Sequence, residues 1–253
     1  MPRKSKFILA GLILTAVCAA LGVLLASGAL IPTALWAGQH EVRGVDVSSY
    51  QGEIDWAVLA AQDIDFAYIK ATEGSGHVDP CFSPNWAGAS AAGLRAGAYH
   101  FLSFDSPGET QAANFIAAVT PSEGMLPPAV DLEFYGDYIR RPPSAELVRS
   151  ILEPVLERLR AEYGVRPVVY ATERSYALYL ADGGYDCDLW IRSVRRAPAL
   201  SGGVDWAFWQ YTSRAVLPGY SGEERFIDLN VFRGTAEEFQ SYGLPPSASE
   251  ANH

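Results

Sequence analysis

Ala129-Val130-Asp131-Leu132-Glu133 is a short run that begins apolar and ends in two acids. Side chains two apart on a strand point to the same face, so Asp131 and Glu133 present both carboxyls to one side. Their α-carbons then lie about 6.5 Å apart at roughly 3.3 Å per residue. A lone Asp-x-Glu is more often a solvated strand end, so the meaning of this pair depends on what surrounds it.

Working outward, similar apolar runs recur at Val42 to Val47, Phe66 to Ala71, Arg95 to Phe101, Pro128 to Glu133, Pro167 to Ala171, Leu189 to Val194, Ala207 to Tyr211 and Phe226 to Val231. They alternate with amphipathic or alanine-rich stretches, which is the pattern of repeated βα units around a parallel sheet. Eight such runs point to a closed barrel. Several later connections are too short for full helices, so the expected fold is α/β, a modified (β/α)8-type barrel with some short or missing helices, over residues 42–243. The clearest helix starts at the N-cap candidate Ser144, carries Leu147, Val148, Ile151, Leu152, Val155, Leu156 and Leu159 on one face, and stops at Gly164. Pro154 should bend or break it. The tail 244–253, rich in proline, serine and alanine, is expected to be disordered.

In a parallel barrel the active site lies at the C-terminal ends of the strands. Asp46 ends the first run, Asp131 and Glu133 end the fourth, and Asp228 follows Phe226-Ile227 in the eighth. First and eighth strands are neighbours once the barrel closes, so the four acids converge on one cleft. That convergence reverses the solvated reading. Apolar surroundings and neighbouring acids raise the pKa of Glu133 toward that of a general acid.

With 29 acidic against 19 basic residues the net charge is -10, which repels a phosphate backbone and excludes nucleic acid as a partner. Six tryptophans and thirteen tyrosines mostly serve a core, although exposed aromatic faces also stack on sugar rings. Cys81 and Cys187 form neither a disulfide framework nor a metal site, and whether they pair stays open. His100, inside a strand, reads as a packed, hydrogen-bonded residue and not as a base. With no His-Glu-x-x-His segment and no glycine-rich phosphate loop, neither a metal nor a cofactor is expected.

Residues 1–41 read as an address. Arg3, Lys4 and Lys6 precede a stretch with no ionisable side chain but the Cys18 thiol until His40, and the apolar run from Phe7 to about Ala26 is roughly the 20 residues needed to span a bilayer. The expectation is a transmembrane signal anchor followed by a short linker, with the cytoplasmic membrane as partner and the barrel on its outer side, periplasmic or extracellular. A cleaved secretory peptide is the alternative, since Ala26, Ser27, Gly28 and Ala29 suit a signal peptidase. A lipid anchor on Cys18 is disfavoured by the bulky Val17 before it.

Several motifs, in order, resemble glycoside hydrolase family 25 lysozymes. Gly44-Val45-Asp46-Val47-Ser48-Ser49-Tyr50-Gln51-Gly52 with Ile54-Asp55-Trp56 is similar to that family's opening. Tyr68-Ile69-Lys70-Ala71-Thr72-Glu73-Gly74, Ala98-Tyr99-His100-Phe101, Asp131-Leu132-Glu133, Trp209-Gln210-Tyr211-Thr212 and Ile227-Asp228-Leu229-Asn230 resemble its later strands. The resemblance runs from Val42 to about Phe239. It implies hydrolysis of the β-1,4 bond between N-acetylmuramic acid and N-acetylglucosamine in peptidoglycan glycan strands, without metal or cofactor. By the same resemblance Glu133 is the general acid, Asp46, Asp131 and Asp228 complete the acidic cluster, and Tyr99, Tyr170, Trp209 and Gln210 bind substrate. One departure is Arg192-Ser193-Val194-Arg195-Arg196, where the family has a small residue and then an aromatic. Arginines at that rim either close part of the groove or meet a peptide-stem carboxylate.

Glycoside cleavage needs one carboxyl to protonate the leaving oxygen and a second negative group to support the oxocarbenium-like transition state. Backbone spacing does not decide between retention and inversion. A 2-acetamido sugar also supplies its own nucleophile, and the favoured route is substrate-assisted, with Asp131 orienting the amide. Two other functions compete: a chitinase-like hydrolase, which also carries Asp-x-Glu on a fourth barrel strand, and a catalytically silent peptidoglycan-binding module.

Overall fold

The eight apolar runs become strands β1 Arg43–Val47, β2 Phe66–Glu73, β4 Arg95–Phe101, β5 Ala129–Leu132, β6 Val168–Thr172, β7 Asp188–Arg192, β8 Phe208–Ala215 and β9 Ile227–Phe232, and a two-residue strand outside the expected runs, β3 His77–Val78, follows β2. The computed structural model describes residues 3–244, and for 3–6 and 8–10 the backbone only. Pairing follows the order β1-β9-β8-β7-β6-β5-β4-β2-β3, and an added β1–β2 pairing closes an eight-stranded barrel with β3 appended to β2.

One expectation needs correction. The barrel is not parallel throughout, because β9 runs antiparallel to both β1 and β8. A parallel return needs a crossover of about a dozen residues or more, usually a helix. The connection from Ala215 to Ile227 holds no helix, so the chain turns straight back. This reversal matters for the site. Asp228 stands near the beginning of its strand, and only the antiparallel direction puts that end at the barrel mouth.

Alternating side chains divide the apolar residues into two layers. Phe66, Tyr68, Ala129, Val168, Trp190, Phe208 and Phe232 fill the barrel interior. Val45, Ala67, Ile69, Val130, Val169 and Ile191 face outward onto the helices, where Val148, Leu152, Val155 and Leu159 meet them. Gly44 makes room for the interior aromatics, since a β-carbon there would fall 2.4 Å from the Phe66 ring. The helix Ala145–Tyr163 starts where Ser144 accepts the Leu147 amide, continues through Pro154 and ends at Gly164 with φ 69°. It is therefore unbroken at the proline.

The N-terminal segment differs from a free linker. Thr33 is buried and donates its hydroxyl to the Tyr211 carbonyl at 2.6 Å. Ala37 packs with Trp209, Tyr211 and Val231 on the outer face of the barrel, and the Arg214 guanidinium holds the Ala26 carbonyl. Before this strap lies the helix Arg3–Ala26. Among the described residues no helix is long and apolar enough to cross a membrane, so the expected transmembrane segment gains no support there. Of that helix, only Phe7 and the residues from Gly11 on have described side chains. The tail expected to be disordered lies, beyond Leu244, outside the described residues.

Candidate active site

A cleft of about 860 Å³ opens at the barrel mouth, and Asp46, Asp131, Glu133 and Asp228 all line it. Period two explains the convergence, since Asp131 follows Ala129 on the inward face of β5 and Glu133, one residue beyond the end of that strand, keeps the same parity. Asp46 is the direct cross-strand partner of Asp228 in the β1–β9 ladder.

Two amides organise the Asp46 side. Gln210 Nε2 donates to Asp46 Oδ2 at 2.9 Å and to Asp228 Oδ2 at 3.2 Å, and Asn230 Nδ2 donates to Asp46 Oδ2 at 2.8 Å. Each amide is fixed from behind. The Tyr170 hydroxyl donates to Gln210 Oε1 at 3.0 Å and the Trp190 indole N–H to Asn230 Oδ1 at 2.8 Å, which turns both amino groups toward the acids. Trp190 is itself stacked on Tyr68 at 4.8 Å and meets Tyr170 edge-on at 4.8 Å.

All four carboxyls are pushed above their ordinary range, chiefly by burial. Donors from Asn230 and Gln210 oppose the shift at Asp46, whereas the charge of Asp46 adds to it at Asp228. Asp46 is therefore the anion of that pair and Asp228 the holder of the proton. For Asp131 the charge of Glu133 adds to burial, while Arg192 pulls Glu133 back down. Two acids so close bind a first proton tightly as a pair. Asp131 is buried with Oδ1 lacking any hydrogen-bond partner. An unpaired buried acceptor is costly, and the small part of Asp131 that stays exposed lies on the cleft wall.

Tyr99 and Tyr170 line the cleft as expected, and burial keeps both phenols protonated, raising them well above the ordinary value. Trp209 does not join them. It is fully buried on the opposite face of β8 from Gln210, with its indole N–H on the Ser193 carbonyl at 2.8 Å. Adjacent strand residues point opposite ways, so Trp209 and Gln210 cannot both face the sugar. Of the rim arginines only Arg192 lines the cleft; Arg195 is exposed outside it and Arg196 lies 3.7 Å from Glu173. Cleft residues the sequence reading passed over include Lys70, paired with Glu73 at 2.6 Å, and Trp190; Asn230 supports the site from behind. Inward parity with Tyr68, Arg192 and Asp228 is the signal for all three.

His100 is buried between Thr72 at 2.7 Å and Gln111 at 3.0 Å, with burial lowering its pKa to about 4. It is a neutral structural residue. Cys81 and Cys187 are both free. Among the described residues no group of three or more His, Cys, Asp or Glu side chains is placed to hold a metal ion. A second cavity, of about 640 Å³, opens at the other end of the barrel, where Arg166 pairs with Asp188 at 3.1 Å and Arg233 with Asp205. Both of its arginines are thus paired, and its remaining acid, Glu238, accepts the Thr235 amide at 2.8 Å.

A closed α/β barrel with inward acids gathered at one mouth defines a carboxylate-based barrel hydrolase. The sequence profile of glycosyl hydrolases family 25 matches residues 45–220, and the chain belongs to that family. A family 25 glycosyl hydrolase from Bacillus anthracis is 51% identical with a TM-score of 0.78, covering 81% of this chain and 95% of that one. A bacterial lysozyme from Streptomyces coelicolor is 29% identical with a TM-score of 0.69, over 80% of this chain and 96% of that one. Lysozyme M1 of Streptomyces globisporus is 31% identical over 213 residues, 77% of this chain and 69% of its own length.

Proposed function

We propose that this enzyme is a peptidoglycan muramidase in which Glu133 is the general acid and Asp131 orients the substrate. Membership of family 25 and likeness to lysozymes support the activity. The observation that carries the residue roles is that Asp131 and Glu133, two residues apart, line one cleft, with Asp131 almost wholly buried in its wall. The acetamide N–H of N-acetylmuramic acid donates to the Asp131 carboxylate where it meets the cleft and stabilises Asp131 as the anion. The proton shared by the pair then resides on Glu133, where it is needed.

Glu133 passes it to the glycosidic oxygen as the C1–O bond breaks, and the acetamide carbonyl oxygen closes on C1 to give an oxazolinium. Water then attacks C1, losing a proton to Glu133 and restoring the acid. Asp46, held by Gln210 and Asn230, adds fixed negative charge beneath the developing cation. Mass spectrometry of fragments released from purified peptidoglycan tests the reading. N-acetylmuramic acid at the new reducing end is expected, and N-acetylglucosamine there, or faster cleavage of chitin, would transfer the assignment to the chitinase-like alternative.

We also infer that the N-terminal helix anchors the enzyme in the cytoplasmic membrane with the barrel on the outer side. The run from Phe7 to Ala26 carries no ionisable side chain but the thiol of Cys18, and Leu12, Ile13, Leu14 and Val17 are exposed on successive faces. Basic residues before it oppose translocation of the N-terminus. Protease treatment of intact spheroplasts tests this topology; a shielded barrel, or a mature N-terminus near Ala29, would overturn it.

A further inference from the structure

Arg192 stands at the end of β7 directly across from Gln210 in the β7–β8 pairing, and it lines the cleft with Glu133 and Asp228. Its one side-chain hydrogen bond among the described residues is to Ser213 Oγ at 3.2 Å. No carboxylate among the described residues lies within ion-pair distance of it, in contrast to Lys70, whose charge is met by Glu73. Ser213 and Arg214, also cleft residues, extend the same wall along β8. A half-buried guanidinium with spare donors is thus held over an acidic floor, in a protein of net charge -10.

The floor explains why a cation is needed there. An anionic polymer entering a cleft lined by Asp46, Asp131, Glu133 and Asp228 meets repulsion unless a positive group receives its charge. The sugars of the muramidase substrate carry no ionised group in their peptide-substituted form. The nearest anions are the carboxylates on the lactyl arm of muramic acid, either those of the attached peptide stem or, where no peptide is attached, the lactyl carboxylate itself. A guanidinium presents parallel N–H donors that match a carboxylate.

We propose that Arg192 is a specificity residue that receives a carboxylate carried on the lactyl arm of muramic acid, so that the enzyme reads the arm as well as the glycan. This rests on the muramidase reading. Arg192 also lowers the pKa of Glu133, and a residue that only tuned the acids would change cleavage of every substrate alike. Selectivity separates the two roles.

The test uses full-length enzyme and soluble glycan oligomers in three forms: intact stems, stems with carboxyls converted to amides, and glycan stripped of peptide, which bears the lactyl carboxylate. Wild type is expected to show kcat/KM higher by about tenfold or more for an anionic form over the amidated one, as a charge-assisted hydrogen bond would give. Arg192→Met is expected to bring that ratio close to one whatever happens to the absolute rates, and Arg192→Lys to keep part of it. Circular dichroism checks that each variant is folded. Preference for intact stems identifies the peptide as the source, and preference for stripped glycan identifies the lactyl group. A wild-type ratio near one, or a ratio that survives in folded Arg192→Met while the pH profile shifts equally for all forms, overturns the proposal alone. If wild type cleaves none of the three, the muramidase reading falls and takes the proposal with it.

Discussion

Asp46 and Asp228 face each other across the antiparallel β1–β9 ladder, and one side-chain amide, Gln210 Nε2, donates to both. Replacing it by leucine would leave Asp46 with the single donor of Asn230 and would leave the buried Tyr170 hydroxyl without its acceptor. Unmet buried groups of this kind cost about 1–3 kcal/mol. Gln210→Leu is therefore expected to lower the urea midpoint by that amount of stability. Loss of even ~1.4 kcal/mol of support in the transition state slows kcat roughly tenfold. Chemical denaturation and turnover on purified cell walls check the two effects separately.

Stability should fall as pH rises from mildly acidic to alkaline. Asp46, Asp131, Glu133 and Asp228 are all raised by burial, so the folded chain binds their protons more tightly than the unfolded chain does. Their contribution is fully present below the unfolded carboxyl value near 4 and is lost as pH climbs through the raised folded values. Thermal melts between about pH 5 and 8 are expected to show this slope. Asp228→Asn, which has no proton to lose, should flatten it and melt higher than wild type at the alkaline end. A steeper slope in the variant would contradict the assignment of the proton to Asp228.

Trp209 supplies a contrast with Trp190. Trp209→Phe removes a buried hydrogen bond to Ser193 and part of the packing against the N-terminal strap, so a loss of roughly 1–3 kcal/mol is expected. KM on soluble glycan should not move, because the ring never faces the cleft. Trp190→Phe frees the Asn230 amide to rotate and should lower kcat. A raised KM in the Trp209 variant would restore it as a sugar-binding residue.

These residues mark where sequence reading succeeds and where it stops. Asp131 and Glu133 are legible because strand period alone decides that both share a face, and the apolar residues before them decide that the face is inward. Trp209 is misplaced by the same rule. In Trp209-Gln210 the resemblance carries both residues as a unit, while the period sends one of them into the packing under the strap. The direction of β9 depends on the lack of a helix between Ala215 and Ile227, a tertiary fact with no local signature. The docking of residues 28–40 rests on a few spaced contacts at Gly28, Thr33 and Ala37, too sparse to form a periodic pattern.

The residue roles at the reaction centre separate in one comparison of three isosteric changes. Glu133→Gln preserves shape and removes only the transferable proton, so hydrolysis should fall by roughly 10²–10⁴-fold, the usual worth of general acid catalysis, with folding and glycan binding nearly intact. Asp131→Asn should also be severe. Its amide weakens the acceptor that meets the substrate N–H, and it removes charge that supports the developing cation. Asp55→Asn is the control, because Asp55 caps the helix Trp56–Ala60 by accepting the Val58 amide at 3.1 Å and asparagine caps about as well. Its activity should barely change. Turbidity loss of purified cell walls measures all three, with circular dichroism to confirm folding. A folded Glu133→Gln enzyme that kept more than about a tenth of the wild-type rate, well short of the loss a general acid implies, would remove Glu133 from that role. Because burial raises the neighbouring acids as well, Asp131 and Asp228 would then be the remaining candidates for the proton donor.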